Sequence, residues 1–360
     1  ILILEEDSES WEKVGTMDSP KAYGASVSTG EGVLCFGGMN GDRILDEIFL
    51  LKWIKDDKKL IKKKLGALPE EFACGCAVEL GDYIYLSGGQ SGSTIASATK
   101  NFWRCKTADL LEGKSNWELL PSWNGPKRAF HFMMDQNNGT HDCLYVFGGI
   151  NKTHQNVQYL NDLYVFNPTN YERGKTPWEK GESLPEPIFA GTTVPIGQNH
   201  IFVFGGATQI ILSSNGRFNH AEKVFVNKIL GYNTITKTWF NADVMPRSHA
   251  YTSAIKIDDK IIIPGGEIES GKTSRRVWKV NPLQKSKTFG WINSGTMLIY
   301  LLLMVGVGIF FSFRNKNTDD YFRGGQRIPW WAAGLSIFAT ILILLAFIAI
   351  PAKAYANELV

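Results

Sequence analysis

The sequence has few cysteines, little net charge and no export signal at its beginning. Its five cysteines are odd in number and lack the paired spacing of a zinc site, so we expect neither a disulfide framework nor a structural metal. A net charge of +3 over 360 residues offers no basic surface, and we therefore expect no nucleic-acid partner. No basic segment followed by an apolar run stands after Ile1, which indicates a fragment or a processed chain.

Glycine and aromatic residues are abundant, and the glycines form a repeat. Five Gly-Gly pairs recur at intervals of 51 to 60 residues, each after a short run of Val, Ile, Leu, Phe, Tyr or Cys. A proline precedes every pair by 17 to 22 residues, and a tryptophan begins the linking stretch in four of the five units. The pairs are Gly37-Gly38, Gly88-Gly89, Gly148-Gly149, Gly205-Gly206 and Gly265-Gly266.

This repeat predicts the fold. A short apolar run predicts a buried strand, Gly-Gly permits a positive φ and a close approach of backbones, and the aromatic residue is expected to pack between neighbouring sheets. A period near 50 with this signature is typical of the kelch blade. We therefore expect an all-β kelch-repeat β-propeller over residues 1–285. Five blades are visible; either a sixth, N-terminal blade belongs to the full protein, or the ring is five-bladed.

Two long apolar segments follow the repeats. Residues 296–313 and 330–351 are each long enough to cross about 30 Å of hydrocarbon, and they predict two transmembrane helices with the lipid bilayer as a partner. The loop between them, 314–329, carries four Arg or Lys residues and two Asp residues, so the positive-inside rule places it in the cytoplasm. The propeller is then expected on the periplasmic, extracytoplasmic side of the inner (plasma) membrane.

The second apolar segment resembles a transporter family. QRIPWWAAGLS (326–336), continuing to IAIPAKAYA (348–356), is similar to the first core helix of the sodium:solute symporters, here truncated. The resemblance implies a helix broken at mid-membrane, with sodium bound by the backbone carbonyls of Ala339 and Leu342. ILILLAF (341–347) replaces a stretch that usually holds small and polar residues, so a plain packed helix is the alternative.

The propeller resembles a second family. AYGASVSTGEGVLCFGGMN (22–40), IFLLKW (48–53) and IIIPGGE (261–267) are similar to the cyclically permuted branch of the sialic acid mutarotase, or N-acetylneuraminate epimerase, family. In that branch one further blade precedes the first one here, and family members occur fused to sodium symporters. The resemblance implies an isomerase whose partner is sialic acid or a related sugar acid and whose propeller needs no cofactor.

Mutarotation opens and recloses a cyclic hemiketal, so it requires a proton acceptor at the anomeric hydroxyl, a donor at the ring oxygen and an anchor for the sugar carboxylate. The family carries Gly-Gly-Glu followed by an Arg six residues later. Glu267 matches the glutamate and is the expected acid/base. The sixth residue after it is Thr273, so either the loop shifts and Arg275 is the substrate anchor, or the anchor is lost. The alternative is that Glu267 is a rim carboxylate paired with Arg275.

A long polar loop after the fourth Gly-Gly pair is a further candidate. Arg217, Asn219 and His220 lie in it and are expected to contact the substrate, unless the loop is merely solvated. His131 and His249 are expected to be neutral, hydrogen-bonded histidines without a catalytic role.

Three functions follow from these observations. The first is a periplasmic mutarotase that supplies one sialic acid anomer to an attached sodium-coupled symporter, which transports in the full-length protein. The second is a non-catalytic sugar-binding propeller that feeds the symporter, and the altered Glu-Arg spacing favours it. The third is a kelch interaction module.

Overall fold

A computed structural model of the chain describes residues 1–4, 10–153, 156–211, 222–257, 260–282, 291–314 and 330–344. The chain divides into two units, Ile1–Pro282 and Leu283–Val360. The first unit is all-β and the described part of the second is helical.

The first unit is a β-propeller of five antiparallel blades, as the glycine repeat predicts. Each blade is a sheet, four-stranded in blades 1 to 4 and three-stranded in the described part of blade 5. A two-stranded ribbon follows the second strand in blades 1, 3, 4 and 5, directly after the Gly-Gly pair. A separate pair, β1 (Leu2–Ile3) and β2 (Glu12–Lys13), precedes blade 1.

The strands of the first two blades are short, as the apolar runs predict. Blade 1 contains β3 (Ala25–Thr29), β4 (Gly32–Phe36), β7 (Glu47–Ile54) and β8 (Lys59–Ala67), with the ribbon β5 (Met39–Asn40) and β6 (Arg43–Ile44). Blade 2 contains β9 (Cys76–Leu80), β10 (Tyr83–Ser87), β11 (Phe102–Lys106) and β12 (Glu118–Leu119), with a 3-10 helix (Ile95–Ser97) and α1 (Thr107–Leu111).

The remaining three blades repeat this plan. Blade 3 contains β13 (Phe132–Asn137), β14 (Asp142–Phe147), β17 (Leu163–Phe166) and β18 (Trp178–Lys180), with the ribbon β15 (Ile150–Thr153) and β16 (Asn156–Tyr159) and the helix α2 (Pro168–Glu172). Blade 4 contains β19 (Thr192–Ile196), β20 (His200–Phe204), β23 (Lys228–Asn233) and β24 (Thr238–Val244), with the ribbon β21 (Ala207–Ile211) and β22 (Glu222–Phe225). Blade 5 contains β25 (Ile255–Ile257), β26 (Lys260–Pro264) and β29 (Val277–Val280), with the ribbon β27 (Glu267–Glu269) and β28 (Lys272–Thr273).

The hydrophobic core lies between consecutive blades. Leu34 and Phe36 of blade 1 pack with Ile84 and Leu86 of blade 2, and equivalent clusters join the later blades. Three of the four repeat tryptophans contribute to these layers as predicted, whereas Trp11 is 40% exposed. Trp178 of blade 3 contacts Phe102 of blade 2, with ring centroids 5.1 Å apart. Each blade therefore covers an apolar face that its neighbour cannot cover alone.

The Gly-Gly pairs form the joints between blades. At Gly148 φ is +62°, and a Cβ there would lie 2.5 Å from the carbonyl oxygen of Ile188 in the next blade, which only glycine avoids. The N–H of Gly149 donates to that same carbonyl at 2.9 Å. The same bond from a second glycine to the next blade recurs at Gly38, Gly89 and Gly206.

The second unit contains two described helices, α3 (Trp291–Arg314) and α4 (Trp330–Leu344). In α3 nine consecutive residues, 297–305, are each at least 49% exposed, although all of them are apolar or aromatic. Within the parts of the chain that the structure describes, no helix meets the length and apolarity required to cross a membrane. The predicted loop at 315–329 and the end of the second apolar segment, from 345, lie outside the described residues.

Candidate functional site

A ring of five residues with left-handed backbone links the blades at the propeller axis. One residue per blade, two positions before the first strand in blades 1 to 4 and four positions before it in blade 5, has φ between +53° and +58°. The N–H of this residue in each of blades 2 to 5 donates to the carbonyl of its counterpart in the preceding blade, at 2.7 to 2.8 Å. We call these residues the axial ring: Tyr23, Cys74, Phe130, Ala190 and Tyr251.

Aromatic side chains of the axial ring meet although they come from blades 1, 3 and 5. The rings of Tyr23, Phe130 and Tyr251 contact one another edge to face, with centroids 5.5 to 6.0 Å apart. Tyr23 is 45% exposed, whereas the Tyr251 hydroxyl is buried without a hydrogen-bond partner among the described residues. The axial ring therefore presents a partly open aromatic surface.

The residue after each Gly-Gly pair lies beside the axial ring. It forms a β-bridge with the residue that precedes the ring residue of its own blade, and this bridge occurs in all five blades. The five equivalent residues are Met39, Gln90, Ile150, Ala207 and Glu267. Four are neutral and Glu267 alone carries a charge, so the fold itself does not require a carboxylate at this position.

Glu267 is held by two donors. Lys223 Nζ lies 3.1 Å from its Oε2, and the Gly271 N–H donates to its Oε1 at 2.5 Å. The side chains of Lys223 and Glu267 are only 10% and 13% exposed. The backbone N–H of Lys223 donates to Ser270 Oγ at 2.7 Å, which ties the ribbon of blade 4 to that of blade 5.

The charges affect the neighbouring phenols. Lys223 Nζ also lies over the Tyr251 ring, 4.5 Å from its centroid. Desolvation, and then the charges of Cys74 and Glu267, raise the pKa of Tyr23; desolvation and then Glu267 raise the pKa of Tyr251. Both phenols are therefore protonated at neutral pH and carry a hydrogen that can be donated. We call Tyr23, Phe130, Lys223, Tyr251 and Glu267 the axial site; it combines a carboxylate, a cation and two hydroxyl donors.

The sequence-predicted residues distribute unevenly around this site. Glu267 lies in it. Arg275 is exposed in the stretch between β28 and β29, and no described bond joins its side chain to Glu267. Arg217, Asn219 and His220 lie outside the described residues.

Lys223 was missed by the sequence analysis. It follows the polar loop by two residues, and nothing in its local sequence distinguishes it from other surface lysines. The charge of Glu267 among four neutral equivalents was, by contrast, readable from the repeat.

Both histidines, His131 and His249, are hydrogen-bonded, as expected. His131 Nε2 and Ser87 Oγ are 2.8 Å apart in the interior, and burial, followed by the charge of Arg128, lowers the pKa of His131 well below its usual value. Trp278 Nε1 donates to His249 Nε2 at 2.8 Å. Cys76 is likewise a neutral thiol, because burial raises its pKa to about 12.

The residues predicted to bind sodium lie in α4. Ala339 and Leu342 both lie within the described helix, Trp330–Leu344. The residue four positions after Ala339 is also helical, whereas the residue four positions after Leu342 lies outside the described residues. Sodium binding by these two carbonyls stays a prediction. Among the described residues, no group of three or more His, Cys, Asp or Glu side chains is arranged to hold a metal ion.

Comparison with known proteins supports this description. The KLHDC2/KLHL20/DRC7 Kelch-repeats domain family matches residues 75–292. A solved structure titled "Structure of YjhT" superimposes with a TM-score of 0.60 at 14% identity, covering 79% of this chain and 88% of the other, which indicates a shared fold.

Two kinds of curated relative match the chain. N-acetylneuraminate epimerase of Pasteurella multocida is 25% identical over 231 residues, 58% of this chain and 56% of that protein. The sodium/sialic acid symporter SiaT of Proteus mirabilis is 54% identical over 70 residues, 19% of this chain and 14% of that protein. The chain thus spans about half of the epimerase and a small part of the symporter. Both predicted resemblances are confirmed, and together they are consistent with a fusion.

Proposed function

The chain belongs to the KLHDC2/KLHL20/DRC7 Kelch-repeats family, and on that premise we propose that its propeller is a mutarotase that interconverts sialic acid anomers at the axial site. The observation that carries the proposal is the position of Glu267. Among five structurally equivalent residues it alone is ionisable, and it lies at the axis against two protonated phenols. The similarity to N-acetylneuraminate epimerases supports the choice of reaction.

Glu267 acts as the proton acceptor. An ionised carboxylate offers about four lone-pair sites, and the bonds from Lys223 and Gly271 use two of them. The remaining sites accept the proton of the anomeric hydroxyl, while the bond between the anomeric carbon and the ring oxygen breaks. A phenol of Tyr23 or Tyr251 supplies the proton that the ring oxygen takes up.

Reclosure on the opposite face reverses both transfers. The ring hydroxyl returns its proton to the phenol, and Glu267 returns its proton to the carbonyl oxygen, so no net charge or redox change occurs. General acid–base catalysis of this kind contributes about 10²- to 10⁴-fold to a rate. Arg275, Arg217, Asn219 and His220 remain proposed contacts for the rest of the sugar.

The second unit is proposed to be the membrane part. Segments 296–313 and 330–351 cross the bilayer, the loop 314–329 is cytoplasmic, and the propeller lies on the periplasmic side. The apolar residues exposed on all faces of α3 support this arrangement, as does the similarity to a sodium/sialic acid symporter. Tethering raises the concentration of the released anomer at the transporter, which the full-length protein would move with sodium. Extraction of the membranes at alkaline pH tests whether the second unit spans the bilayer. Release of the chain from the membranes would contradict this arrangement.

A non-catalytic sugar-binding propeller is the second candidate. Both carboxylate oxygens of Glu267 already accept hydrogen bonds, an arrangement that also suits a static binding site.

The test is NMR of freshly released α-N-acetylneuraminate with the full chain. Acceleration of anomer exchange that Glu267→Gln abolishes supports the mutarotase. No acceleration, with sugar-dependent shifts in protein resonances, favours the binding propeller. If neither effect is seen, sialic acid is not the ligand, and the interaction module remains as the function.

A further inference from the structure

We infer that Lys223 is the cation that binds the carboxylate of the substrate, and that it restricts the axial site to sugars whose carboxylate is attached to the anomeric carbon. The inference rests on the proposed function and names a specificity-determining residue and a substrate class: the 2-keto sugar acids. Arg275 then contributes less than the family resemblance implies.

The argument begins with the substrate. In a 2-keto sugar acid the anomeric carbon carries both the hydroxyl that loses its proton and the carboxylate. A base that hydrogen-bonds to this hydroxyl therefore stands only a few bonds from a second negative charge. Because the Glu267 side chain is only 13% exposed, two carboxylates so close repel each other strongly unless a cation lies beside both.

Lys223 has the geometry for that cation. Its Nζ is 3.1 Å from Glu267 Oε2. When the anomeric hydroxyl of the substrate is hydrogen-bonded to Glu267, the carboxylate on the same carbon is therefore also close to Lys223. The Tyr251 ring beneath Nζ and the backbone bond to Ser270 hold the side chain at this point.

Arg275 lacks these properties. Its side chain is exposed, and no bond among the described residues joins it to Glu267 or to the axial ring. A matched control lies in the ribbon that contains Glu267. There Lys272 pairs with Glu269 at 2.5 Å, but both side chains are more than 60% exposed.

The test removes the positive charge of Lys223 and the negative charge of the sugar carboxylate in turn. Anomer exchange is measured by NMR with the full chain, for N-acetylneuraminate and for its methyl ester, which differs only in lacking the carboxylate charge. Lys223→Met is expected to lower kcat/KM for the acid by about tenfold, mainly through KM, since a charged hydrogen bond is lost. Esterification should cost the wild type a similar factor, and the two losses should not add. Lys223→Arg should retain activity, and Lys272→Met should be unaffected.

Two outcomes overturn the inference. If Lys223→Met lowers exchange of the acid and of the ester equally, Lys223 acts only through Glu267. If it lowers neither, Lys223 does not contact the substrate. Near-UV circular dichroism of each variant confirms that the fold is intact.

Failure of the proposed function is distinguishable from failure of the inference. If the wild type does not accelerate exchange, binding of the α-methyl glycoside of N-acetylneuraminate, which cannot open, is measured by calorimetry. Binding weakened about tenfold by Lys223→Met but not by Lys272→Met keeps the inference without catalysis. Equal binding by both variants, or none by the wild type, overturns it.

Discussion

Two buried ion pairs in the propeller differ in what surrounds them. At the junction of blades 2 and 3, Arg128 is fully buried, and its Nη2 donates to Asp162 Oδ1 at 2.9 Å. Its guanidinium lies between the rings of Trp123 and Tyr164, at 5.1 and 5.5 Å from their centroids. A second donor, Nη1, reaches the carbonyl of Gly148 at 3.0 Å.

At blades 4 and 5 the pair Lys223–Glu267 stands beside Tyr23, which is 45% exposed. Its cation lies over the Tyr251 ring, and its carboxylate occupies a position that is neutral in the other four blades. The first pair joins blades in the interior of the fold, whereas the second stands at the site proposed for the ligand.

The largest effect on stability is expected from the Arg128–Asp162 pair. Asp162→Asn leaves a fully buried guanidinium that cannot lose its proton, so we expect a loss of about 3–5 kcal/mol in the free energy of unfolding. Denaturant-induced unfolding of the propeller, followed by near-UV circular dichroism, measures it. Lys272→Met, from the exposed pair with Glu269, should change stability by less than about 1 kcal/mol. A similar small loss at Asp162 would show that this pair does not join the blades.

Two glycines sharpen the comparison of the blades. Gly148 and Gly265 have nearly the same backbone, φ +62° and +57°, but a Cβ would lie 2.5 Å from Ile188 O at the first and 3.2 Å from Ser274 O at the second. Alanine at either position incurs about 1–3 kcal/mol of backbone strain, and Gly148→Ala adds about 1–3 kcal/mol of overpacking. The midpoints of denaturant unfolding of the two variants give the difference. Equal losses would mean that the next blade yields to the added methyl group.

A smaller effect is expected on the pH dependence of stability. Because burial keeps the folded-state pKa of His131 below the unfolded value of 6.5, the unfolded chain binds the extra proton on acidification. Stability attributable to His131 is therefore complete above pH 6.5 and falls below it, by at most about 1.4 kcal/mol per pH unit. Unfolding free energies of the wild type and His131→Gln between pH 7 and 5.5 measure this slope. The variant should flatten it, apart from a lesser part due to His200, whose pKa burial also lowers; an unchanged slope contradicts the assignment.

The fold followed from the sequence because its signals are local. Gly148-Gly149 and the apolar run before it specify a strand and a joint within a few residues, and the same pattern occurs five times. The carboxylate of Glu267 was predicted from the family resemblance, because it matches the Gly-Gly-Glu motif at the fifth pair.

The partner of Glu267, Lys223, was not predicted from the sequence. Lys223 reaches Glu267 from the ribbon of the neighbouring blade, 44 residues earlier, through a contact that only the packing of two ribbons creates. Arg275 was predicted from the Glu-Arg spacing of the family and stays a prediction, since proximity along a tight ribbon does not determine which side chains face each other.

The smallest effect on stability is expected from the Lys223–Glu267 pair. Glu267→Gln keeps an acceptor for the Gly271 N–H and removes the charge together with the oxygen that accepts from Lys223. A lysine, unlike an arginine, can adjust its pKa or reach water when its partner is neutralised. We therefore expect a change within about 1 kcal/mol in unfolding free energy, against a fall of about 10²-fold or more in the catalysed rate of anomer exchange. Denaturant unfolding and NMR exchange on one preparation give both values. If Glu267→Gln destabilises the propeller as much as Asp162→Asn, both pairs join blades, and the neutral residues at the equivalent positions would no longer argue for a site at the axis.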